Sequence, residues 1–185
     1  LDFGCGPGFL LEGIKDEENV KIFGTDLSET NVELANKRLK SKKSFLCERL
    51  SKDFFIRYKN KFDIIFLIEC LEHILPEKHA QYIENIKTLL VNNGKIVITV
   101  PNKEKMEKER AICPSCGAVY HRFQHLTQWD SLKIDKFMQN FGFKCLLSKE
   151  TAFTGYCLLN FPYALAHKFY YGFYPNLLYI GQKVC

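Results

Sequence analysis

The sequence has little that would let it cross a membrane. Its longest apolar runs fall far short of the roughly 20 residues that a spanning helix needs. No secretory leader is visible. There are no internal repeats and no composition break that would mark a second domain. A concentrated basic stripe with interleaved aromatics, the footprint of a dedicated nucleic-acid surface, is also missing. The net charge of +5 permits an anionic partner without demanding one. Nor is there a disulfide framework. The eight cysteines are Cys5, Cys47, Cys70, Cys113, Cys116, Cys145, Cys157 and Cys185, and only Cys113 and Cys116 form a tight pair. That scatter reads as reduced, cytoplasmic thiols plus one candidate metal site.

The 185 residues, 46% hydrophobic and 25% charged, fit a single domain able to bury a sizeable core without staples. Short apolar runs alternate with amphipathic stretches, which argues for α/β with a parallel sheet. Leu1-Asp2-Phe3 reads as the end of a buried strand, so the fold is expected to be N-terminally truncated. Strands are expected at 20–24, 44–47, 62–68, 95–100, 143–147 and 176–183. Helices are expected at 9–14, 28–40 (capped by Ser28), 77–91, 132–140 and 161–174. Asn92-Asn93-Gly94 reads as a turn. Residues 101–130 read as a long, mostly irregular insertion, and the sign-alternating run Lys103–Arg110 as a solvated face.

Gly4-Cys5-Gly6-Pro7-Gly8 lies between a strand and a helix. Glycines there allow a tight turn and the close approach of a ligand to backbone. The dinucleotide fingerprint would place its third glycine at position 9, where Phe9 stands. That departure disfavours a nicotinamide enzyme. Asp26 follows at the end of the second strand, where a carboxylate can accept both ribose hydroxyls.

These segments, in this order, resemble the motifs of class I S-adenosylmethionine-dependent methyltransferases. Residues 1–8 resemble motif I and Gly24–Ser28 motif II. Phe62–Ile74 and Gly94–Asn102 resemble the strand-four and strand-five segments of ubiquinone-biosynthesis O-methyltransferases and their type 11 relatives. The resemblance implies a Rossmann-like, doubly wound seven-stranded sheet in the order 3-2-1-4-5-7-6, its last strand antiparallel. It implies that S-adenosylmethionine is bound. Asp2 would lie near the methionine end, with Gly4, Gly6 and Gly8 beneath it. Asp26 would hold the ribose, Leu27 the adenine face, Glu48 the adenine amine, and Glu69 the methyl side.

Glu69, Glu72 and His73 fall at i, i+3 and i+4, so a helix would put all three on one face. With His125 the pattern is similar to methyltransferases that act on the terminal 2′-hydroxyl of small RNAs. There such a set binds a metal beside the acceptor hydroxyl. Glu69, Glu72, His73 and His125 are therefore the catalytic candidates. A general-base or packing role is favoured, and a bound cation is the alternative.

Cys113-Pro114-Ser115-Cys116-Gly117 is a knuckle-like turn, followed by His121 and His125. Sulfur and nitrogen ligands at such spacing suit zinc, so Cys113, Cys116, His121 and His125 are metal candidates. The alternative is a reduced pair with surface histidines. The aromatic 153–174 segment reads as sheet-edge packing or an oligomer contact, or else as an acceptor pocket or a membrane-surface helix. The expected reaction is O-methylation of a small molecule. An RNA 2′-O-methyltransferase and an inactive binding module are the alternatives.

Overall fold

The computed structural model describes residues 1–40, 45–153 and 167–184. Strands are β1 (Asp2–Phe3), β2 (Ile22–Asp26), β3 (Phe45–Arg49), β4 (Phe62–Ile68), β5 (Leu90–Pro101), β6 (Arg110–Ile112), β7 (Val119–His121), β8 (Phe143–Thr151) and β9 (Asn176–Lys183). Helices are α1 (Phe9–Gly13), α2 (Glu29–Arg38), α3 (Lys52–Arg57), α4 (His79–Leu89) and α5 (Ser131–Asn140). Seven strands form one sheet in the order β3-β2-β1-β4-β5-β9-β8. The β1 to β5 pairings are parallel, whereas β9 runs antiparallel to both β5 and β8. This is the expected order, with the small β6–β7 hairpin standing outside it. Among the described residues, no helix is long and apolar enough to cross a membrane.

Strand alternation sorts the core into two layers. Ile22 joins Leu11, Ala35 and Leu39 under α1 and α2. Its neighbour Phe23 faces the other way, edge-on to Tyr58 and Phe62 at 5.7 and 5.4 Å. That second layer continues through Ile65, Ile83, Ile98, Trp129 and Met138, all essentially inaccessible to water.

Local signals set most boundaries. The Ser28 hydroxyl caps α2 by accepting from Asn31 N, and Asp130 caps α5 by accepting from Lys133 N. The short helix α3 escaped the sequence reading, although Ser51 caps it and Asp53 occupies its first turn. The expected turn at 92–94 lies inside β5 as a bulge. Phe62 pairs with Leu90 and Ile64 with Lys95, so Val91–Gly94 loop out, with Asn93 at φ +61°. The insertion is more ordered than expected: a 3₁₀ turn at Met106–Glu109 precedes the β6–β7 hairpin. Of the expected 161–174 helix, residues 167–171 are helical and 172–175 are not; residues 161–166 lie outside the described residues.

Candidate active site

The sheet order reverses direction about β1, between β2 and β4. Ligands of open α/β sheets sit outside the carboxyl ends of strands at such a point. Here a cleft of about 410 Å³ is lined by Phe3, Gly4, Asp26, Leu27, Glu69 and His73, among others. The turn after β1 closes through Thr25 O, which accepts from the N–H groups of Gly4 and Cys5 at 2.8 and 3.0 Å. Gly4 has φ +79°, and a Cβ there would sit 2.8 Å from Cys70 Sγ. Gly8 has φ +85°, and its Cβ would meet Ala35 Cβ and Cα at 3.1 and 3.2 Å. Gly8 therefore lets α2 approach the turn, while Phe9 is 65% exposed and carries the Arg38 guanidinium over its ring.

Asp26 is held by three donors. Its Oδ2 accepts from Gly6 N at 2.9 Å, and its Oδ1 from Ser28 N at 2.8 Å and Asn31 Nδ2 at 3.2 Å. A carboxylate has about four lone-pair positions, so acceptor capacity remains toward the cleft that it lines. Leu27 offers an apolar wall beside it, 61% exposed. Asp2 is buried, and burial pushes its carboxyl up to about 7. This combination fits an adenosyl cofactor: a fixed carboxylate, an exposed apolar plate and a turn with no Cβ at Gly4. Glu48 has protein partners of its own. Its Oε2 accepts from Arg57 Nη2 and its Oε1 from Tyr58 OH, each at 2.5 Å, and it is not among the cleft-lining residues. Burial works against ionisation there, but these donors prevail and hold its carboxyl below the usual range.

Glu69 departs from the expected helical face. It follows β4 with φ +47°, and its N–H donates to both Thr99 O and Thr99 Oγ1, at 3.0 and 3.2 Å. The helical turn, of 3₁₀ type, begins only at Leu71. Glu72 is fully buried, with neither carboxyl oxygen hydrogen-bonded. Burial and then the Glu69 charge push it up to about 8. His73 lines the cleft, and burial followed by the nearby His125 lowers its pKa. Its imidazole is therefore neutral at pH 7 and able to accept a proton. The His73 and His125 rings meet edge to face at 4.8 Å.

His125 Nδ1 lies 2.6 Å from Glu104 Oε2, and the ring stacks on His121 at 4.8 Å. Glu104 escaped the sequence reading because it sits in the charged run assigned to solvent. Its side chain is only 14% exposed. The donor atoms of Glu72, His73 and His125 lie within 4.8 Å of one another, as do those of Glu104, His121 and His125. In the second set His121 Nδ1 accepts from His125 N at 3.2 Å. Its proton is then on Nε2, 3.6 Å from Glu104 Oε1 and without a hydrogen-bond partner among the described residues.

The four-ligand zinc set does not assemble. Among the described residues, no cluster of three metal-ligating side chains includes Cys113 or Cys116. The two cysteines occupy the β6–β7 turn, where Gly117 N donates to Cys113 O at 2.9 Å and Cys113 N to Ala118 O at 2.8 Å. His121 and His125 turn instead toward Glu104.

The chain is similar to known proteins in sequence and in fold. A ubiquinone biosynthesis O-methyltransferase of Pelagibacter ubique is 31% identical over 103 residues, 56% of this chain and 42% of that relative. The chain thus spans less than half the length of the curated relatives it matches first. The complex of the Haloferax volcanii Trm112 methyltransferase activator with a methyltransferase contains a chain that superposes with a TM-score of 0.72 at 17% identity, covering 100% of this chain and 81% of that one. An S-adenosylmethionine-dependent methyltransferase from Mesorhizobium loti gives 0.70 at 16% identity, covering 98% and 89%. A family model for the methyltransferase domain matches residues 1–148. The chain belongs to the methyltransferase domain family.

Proposed function

We propose that this protein transfers a methyl group from S-adenosylmethionine to an oxygen of a small molecule. The observation that carries the reading is Asp26, fixed by Gly6, Ser28 and Asn31 at the carboxyl edge of the sheet. When bound, the cofactor supplies an electrophilic methyl on a sulfonium. Asp26 would accept from the ribose hydroxyls, Leu27 would cover the adenine, and Asp2 would lie toward the methionine end. Glu69, set at the cleft wall by its unusual backbone, borders the methyl side. His73 stands at the same wall in its neutral form and takes the acceptor hydroxyl's proton. His125 and Glu72 stand behind it. Alignment of acceptor and donor carries much of the rate, because bringing two reactants into register is worth about 7–11 kcal/mol at best.

The small-molecule reading draws on a second cavity, of about 720 Å³, walled by Phe123, Tyr170, Tyr171 and Phe173 and bordered by Glu104, Lys103, Lys105, Lys108 and Arg122. The O-methyltransferase similarity supports oxygen as the acceptor atom. Radiolabelled methyl transfer tests the proposal, using the full-length protein with phenols and catechols on one side and short RNAs on the other. Label in the small-molecule fraction that His73→Gln reduces by about 10²-fold or more supports the reading. Label in RNA alone, or an unaffected His73→Gln, overturns it.

A further inference from the structure

We infer that Glu104 is a positioning residue that fixes the tautomer of His125 and leaves Nε2 as its free lone pair; the inference rests on the proton-handling role proposed above. For a neutral imidazole the contacts fix which nitrogen of His125 carries the proton. Glu104 Oε2 stands 2.6 Å from His125 Nδ1. A carboxylate only accepts, so the proton lies on Nδ1. Nε2 is then the nitrogen with a free lone pair, left for Glu72 and His73, whose donor atoms come within 4.8 Å of His125. His121 reinforces the arrangement. It accepts the His125 backbone N–H on Nδ1 at 3.2 Å and stacks on the His125 ring at 4.8 Å. The Glu104, His121 and His125 side chains are 14%, 7% and 10% exposed, so water competes little for these contacts.

The fold holds the assembly from both sides. Glu104 lies just after β5. Two residues before it, Asn102 N donates to Pro175 O at 2.8 Å, and Lys103 N donates to Trp129 O at 2.8 Å. His125 is tied to the wall of the cleft because the next residue, Leu126, donates its N–H to Glu72 O at 2.8 Å. The titratable groups facing His125 are Glu69, Glu72 and His73 from the segment after β4, and Glu104 and His121 from the insertion. A carboxylate behind a histidine stabilises its charged form and orients its ring, the role of the third group in nucleophile–base constellations. Here His73 takes the acceptor hydroxyl's proton with the His125 ring edge to face against it at 4.8 Å, and the proton departs to solvent when product leaves.

Glu104→Leu tests this in the full-length protein. Leucine removes the acceptor at Nδ1 and releases the ring to the Nε2–H form that a free imidazole favours. Nitrogen-15 NMR of the imidazoles, with His125→Gln to assign the resonance, reads the tautomer without any substrate. The expected result is Nδ1–H in the native protein and Nε2–H in Glu104→Leu. With an acceptor in hand, kcat falls at least tenfold and S-adenosylhomocysteine affinity is unchanged. Glu104→Asp retains the native tautomer and most of the rate. A native His125 with its proton on Nε2, or the same tautomer in Glu104→Leu, overturns the inference whatever the enzyme's reaction proves to be.

Discussion

Gly8→Ala and Gly6→Ala separate a glycine that packs from one that only bends. Both have positive φ, +85° and +52°, so an alanine at either position bears about 1–2 kcal/mol of left-handed strain. At Gly8 the added Cβ also lies 3.1 Å from Ala35 Cβ and 3.2 Å from Ala35 Cα, whereas at Gly6 nothing lies within 4 Å. Ala35 Cα is backbone on α2, and Ala35 is fully buried, so the neighbour has no soft direction to yield. Forced overpacking costs about 1–3 kcal/mol. Gly8→Ala is thus expected to lose about 2–5 kcal/mol and Gly6→Ala about 1–2, against a total stability on the order of 5–15. Urea unfolding followed by fluorescence reads the difference cleanly, because Trp129 is the only tryptophan and is buried. With m of about 2–3 kcal/mol per molar, the Gly8→Ala midpoint should drop by about 1–2 M and the Gly6→Ala midpoint by about 0.5 M. Equal drops, or a larger one for Gly6→Ala, would refute the packing argument.

Other consequences follow from burial and charge. Asp2 has a folded pKa of about 7, raised from 3.8 by burial. Its contribution is complete below the unfolded value and is lost as pH rises toward 7, by at most about 1.4 kcal/mol per pH unit. Asp2→Asn should flatten the stability profile between pH 4 and 7 in urea titrations, and a parallel profile would be contrary evidence. The thiol of Cys113 is held below its ordinary value by backbone N–H groups of Cys116 and Ser115. By contrast, burial pushes Cys70 up to about 12, and contact with Cys47 together with burial raises Cys5. Iodoacetamide labelling of metal-free protein, read by mass spectrometry, should therefore mark Cys113 well before Cys5 or Cys70. Met138 is fully buried in the larger core; Met138→Ala should lose about 2–5 kcal/mol, and a loss under 1 would contradict its placement.

The sheet was legible because its strands carry their own signatures. FDIIFLI at 62–68 is continuously apolar, as a strand covered on both faces must be. The glycine turn and Asp26 were legible because their chemistry is local, tied to one backbone turn and one strand end. The carboxylate–histidine cluster was only half legible. Glu69, Glu72, His73 and His125 were visible as residue types, but Glu69's left-handed backbone breaks the helical face that their spacing suggests. Glu104 was hidden because charge alternation in 103–110 describes solvent exposure on average and cannot register one residue turned inward against two histidines. The zinc pattern is read from spacing alone. Sequence spacing places Cys113, Cys116, His121 and His125 close along the chain, but the β6–β7 hairpin leaves the cysteines at its turn and brings the histidines to Glu104.

The central claim is that Asp26 holds the ribose of a bound adenosyl cofactor. Calorimetric titration of S-adenosylhomocysteine into the full-length protein tests it most directly, with Asp26→Ala alongside and circular dichroism confirming that both are folded. Hydrogen bonds to a charged group contribute about 1.5–3 kcal/mol each, so losing two weakens binding by about 10²-fold or more. The account predicts saturable one-site binding that Asp26→Ala weakens by at least that factor. No binding by the folded native protein, or equal affinity in the variant, would contradict it.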